Sequence, residues 1–325
     1  MAEAELLKTL ISAARLHRDS QTEMGPGDDG ALIRGISGGL VISTDSYWEG
    51  SHYERRWLSA QDIAARCLAG ALSDLAAMGA LPRFYTLALT LCGDESEAWI
   101  ADFGAELGRL AQHYKIDLIG GDLTRAAVQG MTLTVMGSPT KGRVMRRQGA
   151  RPGDGLWVSG TLGAAAAGLA LLQQKSGPER SHLSQAFRRP KPRLLLGSAL
   201  ARMAIASAGI DISDGLVIDL SRLCTASKCG AIIDTSNLPG DPRNRRIGEM
   251  LNRLPLDFVL YGGEDYELLF SVPPAMEEAL ADLSSATDVP LTRIGVITDS
   301  GRVLDEKGEA VMIRGWDPFE KRAGK

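Results

Sequence analysis

The period of the apolar positions changes along the chain, and each change marks an element. Residues 39–44 (Gly-Leu-Val-Ile-Ser-Thr) read as a strand ending at Asp45. Over residues 59–78 the period becomes helical: Ile63, Cys67, Leu68, Ala71, Leu72 and Leu75 form one apolar stripe. Ser59 with Asp62 three residues on is a variant of the capping box, and Gly79 suits the C-terminal stop. Residues 84–91 return to a strand pattern. A second helix starts near Ser96 and carries Trp99, Phe103, Leu107, Leu110 and Tyr114 on one face. A strand at 116–119 runs into Gly120-Gly121-Asp122, and 131–136 is a further strand.

The pattern then breaks. Residues 137–155 hold Gly, Pro and a basic run (Lys141, Arg143, Arg146, Arg147, Arg151), so a domain boundary is expected there, with an N-terminal domain over 1–140 and a C-terminal domain over 141–325. The second half again mixes strands (156–159, 229–234, 265–271, 292–297) with helices (161–173, 192–206, 215–226, 275–284); residues 174–190 and 236–247 read as loops. Neither half repeats a strict strand–helix–strand unit, which points to an α+β class.

Bulk properties narrow the function classes. A chain of 325 residues is long enough for two domains, and its 44% hydrophobic and 23% charged residues supply ordinary globular cores. The net charge of −4 gives no electrostatic footprint for nucleic acid, so anionic substrates need local help from metal ions or placed arginines. Cys67, Cys92, Cys224 and Cys229 form no C-x-x-C pair, which suits reduced thiols in a cytoplasmic protein. The first twenty residues are too charged for a signal peptide, and no stretch approaches the ~20 apolar residues of a membrane span.

The carboxylates are the informative feature. They recur beside Gly, Ser or Thr at element ends: Gly27-Asp28-Asp29-Gly30, Ser43-Thr44-Asp45, Leu72-Ser73-Asp74, Gly120-Gly121-Asp122, Asp211-Ile212-Ser213-Asp214-Gly215 and Gly262-Gly263-Glu264-Asp265. Each alone is also an ordinary surface turn. Together they favour a site holding several Mg²⁺ ions and phosphate, because Mg²⁺ takes carboxylate oxygens, water and substrate phosphate, and small neighbours admit further oxygens. Asp74 sharpens this reading: near the C-terminal end of its helix its charge opposes the helix dipole, which a metal ligand explains better than a solvated side chain.

Other chemistries find less support. Gly25-Pro26-Gly27-Asp28-Asp29-Gly30 matches G-x-G-x-x-G in form, but no apolar strand precedes it and its carboxylates would repel a pyrophosphate. Neither a Walker A loop nor the H-R-D and D-F-G pair of protein kinases is present. Of the four histidines only His52, close behind Thr44-Asp45, stands near the carboxylates.

In order and spacing these motifs, with Glu49-Gly50 before His52, Leu75-Ala76-Ala77-Met78-Gly79-Ala80 after Asp74, Gly149-Ala150-Arg151-Pro152-Gly153-Asp154, and Tyr266-Glu267-Leu268 after Asp265, closely resemble the thiamine-monophosphate kinase family from about residue 24 to residue 319. Relatives of that family are aminoimidazole ribonucleotide synthetase, selenophosphate synthetase and the hydrogenase-maturation dehydratase. The resemblance implies their two-domain α+β fold and a homodimer joined through N-terminal-domain strands, with the nucleotide near that joint. It implies ATP-dependent phosphorylation of thiamine monophosphate to thiamine diphosphate, the last step in making that cofactor, by direct in-line transfer with several Mg²⁺ ions. Carried over by position, Asp29, Ser43, Thr44, Asp45, Asp74, Asp122, Asp211 and Asp214 would be metal ligands. Gly121, Asp122, Arg147 and Ser213 would contact ATP, and His52, Glu264 and Trp316 the thiamine phosphate. Asp45, Asp122 and Arg147 would carry the transfer itself. The chain departs from the family pattern at Leu123, Ala164, Phe187 and Pro318, and Arg146 adjoins Arg147 as an alternative; none of the four departures removes one of these core carboxylates.

Overall fold

The computed structural model describes residues 9–10, 21–24, 32–33, 35, 38–174 and 184–316. The chain divides into two compact units, one of residues up to Leu75 with Gly79–Val144, the other of Ala76–Met78 with the chain from Met145 onward. In the first, short strands β1 (Thr22–Met24) and β2 (Leu32–Ile33) pair antiparallel. The main sheet has the order β3-β6-β4-β5, from β3 (Val41–Trp48), β4 (Ala80–Leu91), β5 (Asp117–Arg125) and β6 (Gly130–Pro139). Only β4 and β5 run parallel, and the crossover between them is α2 (Glu97–Tyr114). Ser96 caps α2 by accepting from the Trp99 N–H, and Ile100, Phe103, Leu107 and Leu110 are buried as the stripe requires. Helix α1 (Ala60–Ala77) is buried along most of its length.

Two strands outrun their sequence limits, with consequences for the site. The first does not end at Asp45 but continues to Trp48, because Asp45, Ser46 and Tyr47 keep their backbone pairing with β6. The strand expected at 116–119 runs on through Gly120-Gly121-Asp122 to Arg125, paired with β4. Gly121 makes this approach possible: a Cβ there would stand 2.0 Å from the Leu87 carbonyl oxygen. β4 also begins earlier than its apolar run, since a register shift between Pro82 and Phe84 accommodates a proline that cannot donate.

The second unit holds a six-stranded sheet, β12-β9-β11-β7-β10-β8, antiparallel except for β12 with β9. Its strands are β7 (Gly155–Ser159), β8 (Ala208–Asp211), β9 (Gly230–Ile233), β10 (Leu268–Val272), β11 (Leu291–Thr298) and β12 (Val303–Asp305). Its helices are α3 (Ala164–Gln173), α4 (Gln185–Arg188), α5 (Leu194–Met203), α6 (Leu216–Ser227), α7 (Arg243–Leu251), α8 (Pro255–Tyr261) and α9 (Ala279–Thr287). Leu156, Val158, Ile210, Leu216, Leu220, Ile233 and Leu269 belong to one core.

Several expectations are corrected here. The loop expected at 236–247 contains the start of α7, whose Asp241 accepts from the Arg243 N–H and side chain and fixes the first turn. The loop expected at 174–190 contains α4, residues 175–183 lying outside the described residues. The strand expected from 265 starts at Leu268, because Glu264 and Tyr266 take positive φ values of 70° and 51° that no strand allows. The helix expected at 275–284 lies at Ala279–Thr287, after the helical turn Pro274–Met276.

Candidate active site

In the first unit the extension of β3 decides which candidates meet. Side chains alternate along it: Ser43 and Asp45 are half-buried and Tyr47 is buried, while Ile42, Thr44, Ser46 and Trp48 are exposed. Ser43 donates its hydroxyl hydrogen to the Asp74 carboxylate near the end of α1, so two candidates from separate elements are in contact. The Tyr47 hydroxyl donates to Asp45 at 3.3 Å, and its ring meets that of His52 edge-on, centroids 5.7 Å apart. His52 lies in the turn after β3, where Nδ1 accepts from the Trp48 N–H at 3.0 Å. The guanidinium of Arg66, fully buried, donates to the His52 carbonyl at 3.1 Å. Burial, and then the Arg66 charge, hold the imidazole below its ordinary pKa. His52 is therefore a neutral ring whose Nε2 carries the proton, a donor suited to a phosphate oxygen.

Thr44 and Asp122 stand elsewhere on the sheet. Thr44 points to the exposed face and hydrogen-bonds Thr134 at 3.0 Å. Asp122, also exposed, pairs with Ala88 on β4, which pairs with Thr132 on β6, which pairs with Ser46. Asp45 and Asp122 thus lie in neighbouring rows on opposite edges of a four-stranded sheet, three strand steps or roughly 14 Å apart. Within one chain that is too far for two short carboxylates to share an ion at ~2.1 Å from each oxygen. Asp29 lies outside the described residues.

In the second unit the candidates converge through the backbone. Asp211 closes β8, and the chain then turns through Ser213, Asp214 and Gly215 into α6. The Glu264 N–H donates to the Ser213 carbonyl at 2.8 Å and the Tyr266 N–H to that of Ile212 at 2.9 Å. The Trp316 N–H donates to the Asp214 carbonyl at 2.9 Å. Ser213, Asp214, Glu264 and Trp316 are therefore neighbours, with Asp211 at the foot of the same turn. Gly263 permits the close approach, since a Cβ there would stand 2.4 Å from the Ser213 oxygen. Arg147 is exposed, and its carbonyl accepts from Ser227 at 2.8 Å. The carbonyl of Arg146 accepts from the Gly209 N–H, so both arginines are pinned by backbone with their side chains exposed.

Two carboxylates hold this arrangement: buried Asp219, which no motif nominated, and half-buried Asp265 of the Gly-Gly-Glu-Asp run. Asp219 accepts the N–H groups of Ser213, Asp214 and Gly215 on one oxygen, at 3.0 to 3.1 Å, and Arg222 on the other at 2.7 Å. Arg222 also pairs with Asp214 at 2.5 Å. Burial pushes the Asp219 carboxyl up to about 6 against the pull of these donors. Asp265 accepts the N–H of Gly163 at 2.7 Å and of Ala165 at 3.3 Å, capping α3. Burial pushes its carboxyl up to about 8, assisted by the charges of Glu267 and Glu264. The signal for Asp219 was one helical turn after Gly215, and for Tyr47 the strand period itself, two residues after Asp45. Of the departures, Ala164 opens α3, Phe187 is buried, Leu123 lies in β5, and Pro318 is outside the described residues.

The donor chemistry fits Mg²⁺. A serine hydroxyl and the carboxylates of Asp45 and Asp74 are hard oxygen donors on one face, and the last turn of α1 has no basic residue to offset Asp74. By contrast, Cys92, Asp94 and Glu95 bring ligand atoms within 4.8 Å of one another, but Arg55 already pairs with both carboxylates. Among the described residues no helix is long and apolar enough to cross a membrane.

Comparison with known proteins identifies the family. Residues 27–138 match the N-terminal domain, and residues 151–305 the C-terminal domain, of AIR synthase related proteins. Thiamine-monophosphate kinase of Escherichia coli (strain K12) is 42% identical over 307 residues, 91% of this chain and 92% of the relative. The crystal structure of thiamine-monophosphate kinase from Stenotrophomonas maltophilia K279a is 39% identical with a TM-score of 0.84, covering 96% of this chain and 98% of that one. AaThiL complexed with AMPPCP and TMP is 27% identical with a TM-score of 0.77, covering 98% and 99%. With both family domains matched and near-full-length likeness well above 30% identity, this chain belongs to the thiamine-monophosphate kinases of the AIR synthase related family.

Proposed function

We propose that this protein transfers the γ-phosphoryl group of ATP directly to the phosphate of thiamine monophosphate, giving thiamine diphosphate and ADP. The observation that carries the reading is near-full-length likeness to a chain solved with AMPPCP and TMP, an ATP analogue and the acceptor, on a fold whose candidate residues fall into two oxygen-rich clusters. The acceptor phosphate is already an anion at neutral pH, so no strong general base is required and no phosphoenzyme forms. The obstacle is holding two polyanions in line. Ser43, Thr44, Asp45, Asp74, Asp122, Asp211 and Asp214 are the residues that would hold Mg²⁺, with Asp29 as a further one. Bound there, Mg²⁺ would supply positive charge to offset that of the phosphates. Gly121 would meet the nucleotide beside the exposed Asp122, Ser213 would offer a hydroxyl, and Arg147 offers an exposed guanidinium for phosphate. His52 presents its Nε2–H to the acceptor phosphate. Glu264 and the indole of Trp316 suit the cationic thiazolium, since an aromatic face attracts cations.

The sheet geometry supports a homodimer. Its exposed face carries Thr44, Ser46, Thr132 and Thr134, with Ile42 59% exposed and Trp48 39% exposed. Joining two copies through these strands would cover the face and bring the Asp45 edge of one sheet towards the Asp122 edge of the other, with the nucleotide near the joint. The N-terminal domain would then bind ATP and Mg²⁺ and dimerise, and the C-terminal domain would complete the substrate site. The free cysteines suit a reducing, cytoplasmic setting.

The test is an ADP-release assay with purified protein, ATP and Mg²⁺, with and without thiamine monophosphate, the product being identified by chromatography. Thiamine diphosphate formed only when all three are present is the expected result. ATP binding without product, or a phosphorylated protein accumulating during turnover, would sink the reading.

A further inference from the structure

Helix α6 begins at the Ser213–Gly215 turn and ends in an arrangement of its own. Lys228 adopts the left-handed conformation with φ of 55° and donates its N–H to Thr225 at 3.3 Å, and the Cys229 N–H donates to the Cys224 carbonyl at 3.0 Å. This double bond pattern is the Schellman motif, which brings the side chains at its two outer positions into contact and usually buries an apolar pair there. Here the pair is Cys224 and Cys229. Both are free and each is 5% exposed. Both line a cavity of about 570 Å³, bounded also by Lys228, Arg302, Val311 and Ile313.

We infer that Cys224 and Cys229 are a thiol-modification site that closes to an intramolecular disulfide when a small-molecule disulfide enters the cavity. The six-residue span of the motif already holds the two backbones together by a hydrogen bond, so a disulfide needs only rotation of the side chains. Burial raises the pKa of both thiols, and Cys224, pushed up to about 12, is the harder to ionise, so Cys229 is the attacking sulfur. Its thiolate, having lost a proton to water, displaces one thiolate from the disulfide RSSR, which takes up that proton as RSH. The Cys224 sulfur then loses its proton and attacks the mixed disulfide, the Cys224–Cys229 bond forms, and the second RSH leaves. The protein is oxidised by two electrons and RSSR is reduced to two RSH. Burial pushes the Cys224 thiol up to about 12, so the second step is slow at neutral pH and quickens as pH rises.

The experiment uses full-length protein carrying Cys92→Ser, which removes the half-exposed thiol, alongside the unaltered chain. Each is incubated with oxidised glutathione under native conditions, blocked with an alkylating agent, and mapped by mass spectrometry. The expected result is loss of two hydrogens, assigned to a Cys224–Cys229 crosslink, reversed by dithiothreitol and formed faster at higher pH. The Cys224→Ser variant should instead retain a glutathione adduct on Cys229. Thiols that stay fully alkylatable, a crosslink that appears only in denaturant, or a pairing with Cys67 would overturn the proposal.

Discussion

The two clusters of candidate residues, one in each unit, are built in opposite ways. In the first unit Ser43, Asp45 and Tyr47 sit on a regular strand whose backbone is satisfied by β6, and their side chains reach Asp74 and His52. In the second, Ser213, Asp214 and Glu264 sit on irregular backbone, with Glu264 and Tyr266 at positive φ, held in place by the carboxylates of buried Asp219 and half-buried Asp265. A strand-borne site separates chemistry from folding, because removing a side chain leaves the ladder intact. A loop-borne site does not, because its geometry depends on buried polar groups that are costly to leave unmatched.

The largest effect should therefore fall in the first unit and touch activity alone. Asp45→Asn is expected to lower kcat by about a thousandfold or more, since the amide keeps the shape but loses the charge. The urea midpoint should stay near that of the unaltered protein. Asp122→Asn should behave alike. Near-normal turnover in either variant would remove that residue from the phosphate site.

The second unit should answer the other way. Asp219→Ala strips three N–H groups and Arg222 of their acceptor in a buried place, and should cost about 3 kcal/mol of stability. Equilibrium unfolding measures this directly. A variant as stable as the parent would show that the turn is held by something other than Asp219, and would erase the contrast between the two halves.

Asp265 gives the contrast a pH dependence. Its carboxyl is pushed up to about 8 in the folded protein, against about 4 unfolded, so the folded state binds the extra proton between those values. The stability it contributes is full below about pH 4 and is lost as pH rises through about 8. Asp265→Asn cannot titrate, so its unfolding midpoint should vary less than the parent's between about pH 5 and pH 8. Identical pH profiles in the two proteins would refute an Asp265 that folds protonated.

How far the sequence could be read follows the same division. The helix with Ser96 as its cap was legible, because capping and apolar spacing are local. Ser43, Asp45 and Asp74 were legible as oxygen donors, but not that Thr44 faces the other way, because that depends on the strand continuing to Trp48. Nor was the distance from Asp45 to Asp122, which depends on the strand order. Asp219 and Asp265 were out of reach as supports, since the N–H groups they accept lie on turns whose shape only the tertiary fold decides. The start of α7 was hidden because 236–247 is rich in Asn, Pro, Asp and Arg, a composition shared by loops and exposed helices.

The smallest expected effect tests the link inside the first unit. Tyr47 touches both a candidate metal ligand and the candidate substrate histidine, through different atoms: its hydroxyl donates to Asp45 and its ring meets His52 edge-on. Tyr47→Phe removes only the hydroxyl, a hydrogen bond worth about 1 kcal/mol, so kcat should fall by about fivefold with KM for thiamine monophosphate unchanged. Tyr47→Ala also removes the ring that packs edge-on against His52, and should raise that KM while opening a cavity beneath β3. The split between the two variants is the readout that mere packing would not produce. If Tyr47→Phe raised KM and left kcat alone, the hydroxyl would be serving the acceptor rather than Asp45, and the order of groups along β3 would have to be redrawn with His52 and Tyr47 as one substrate contact.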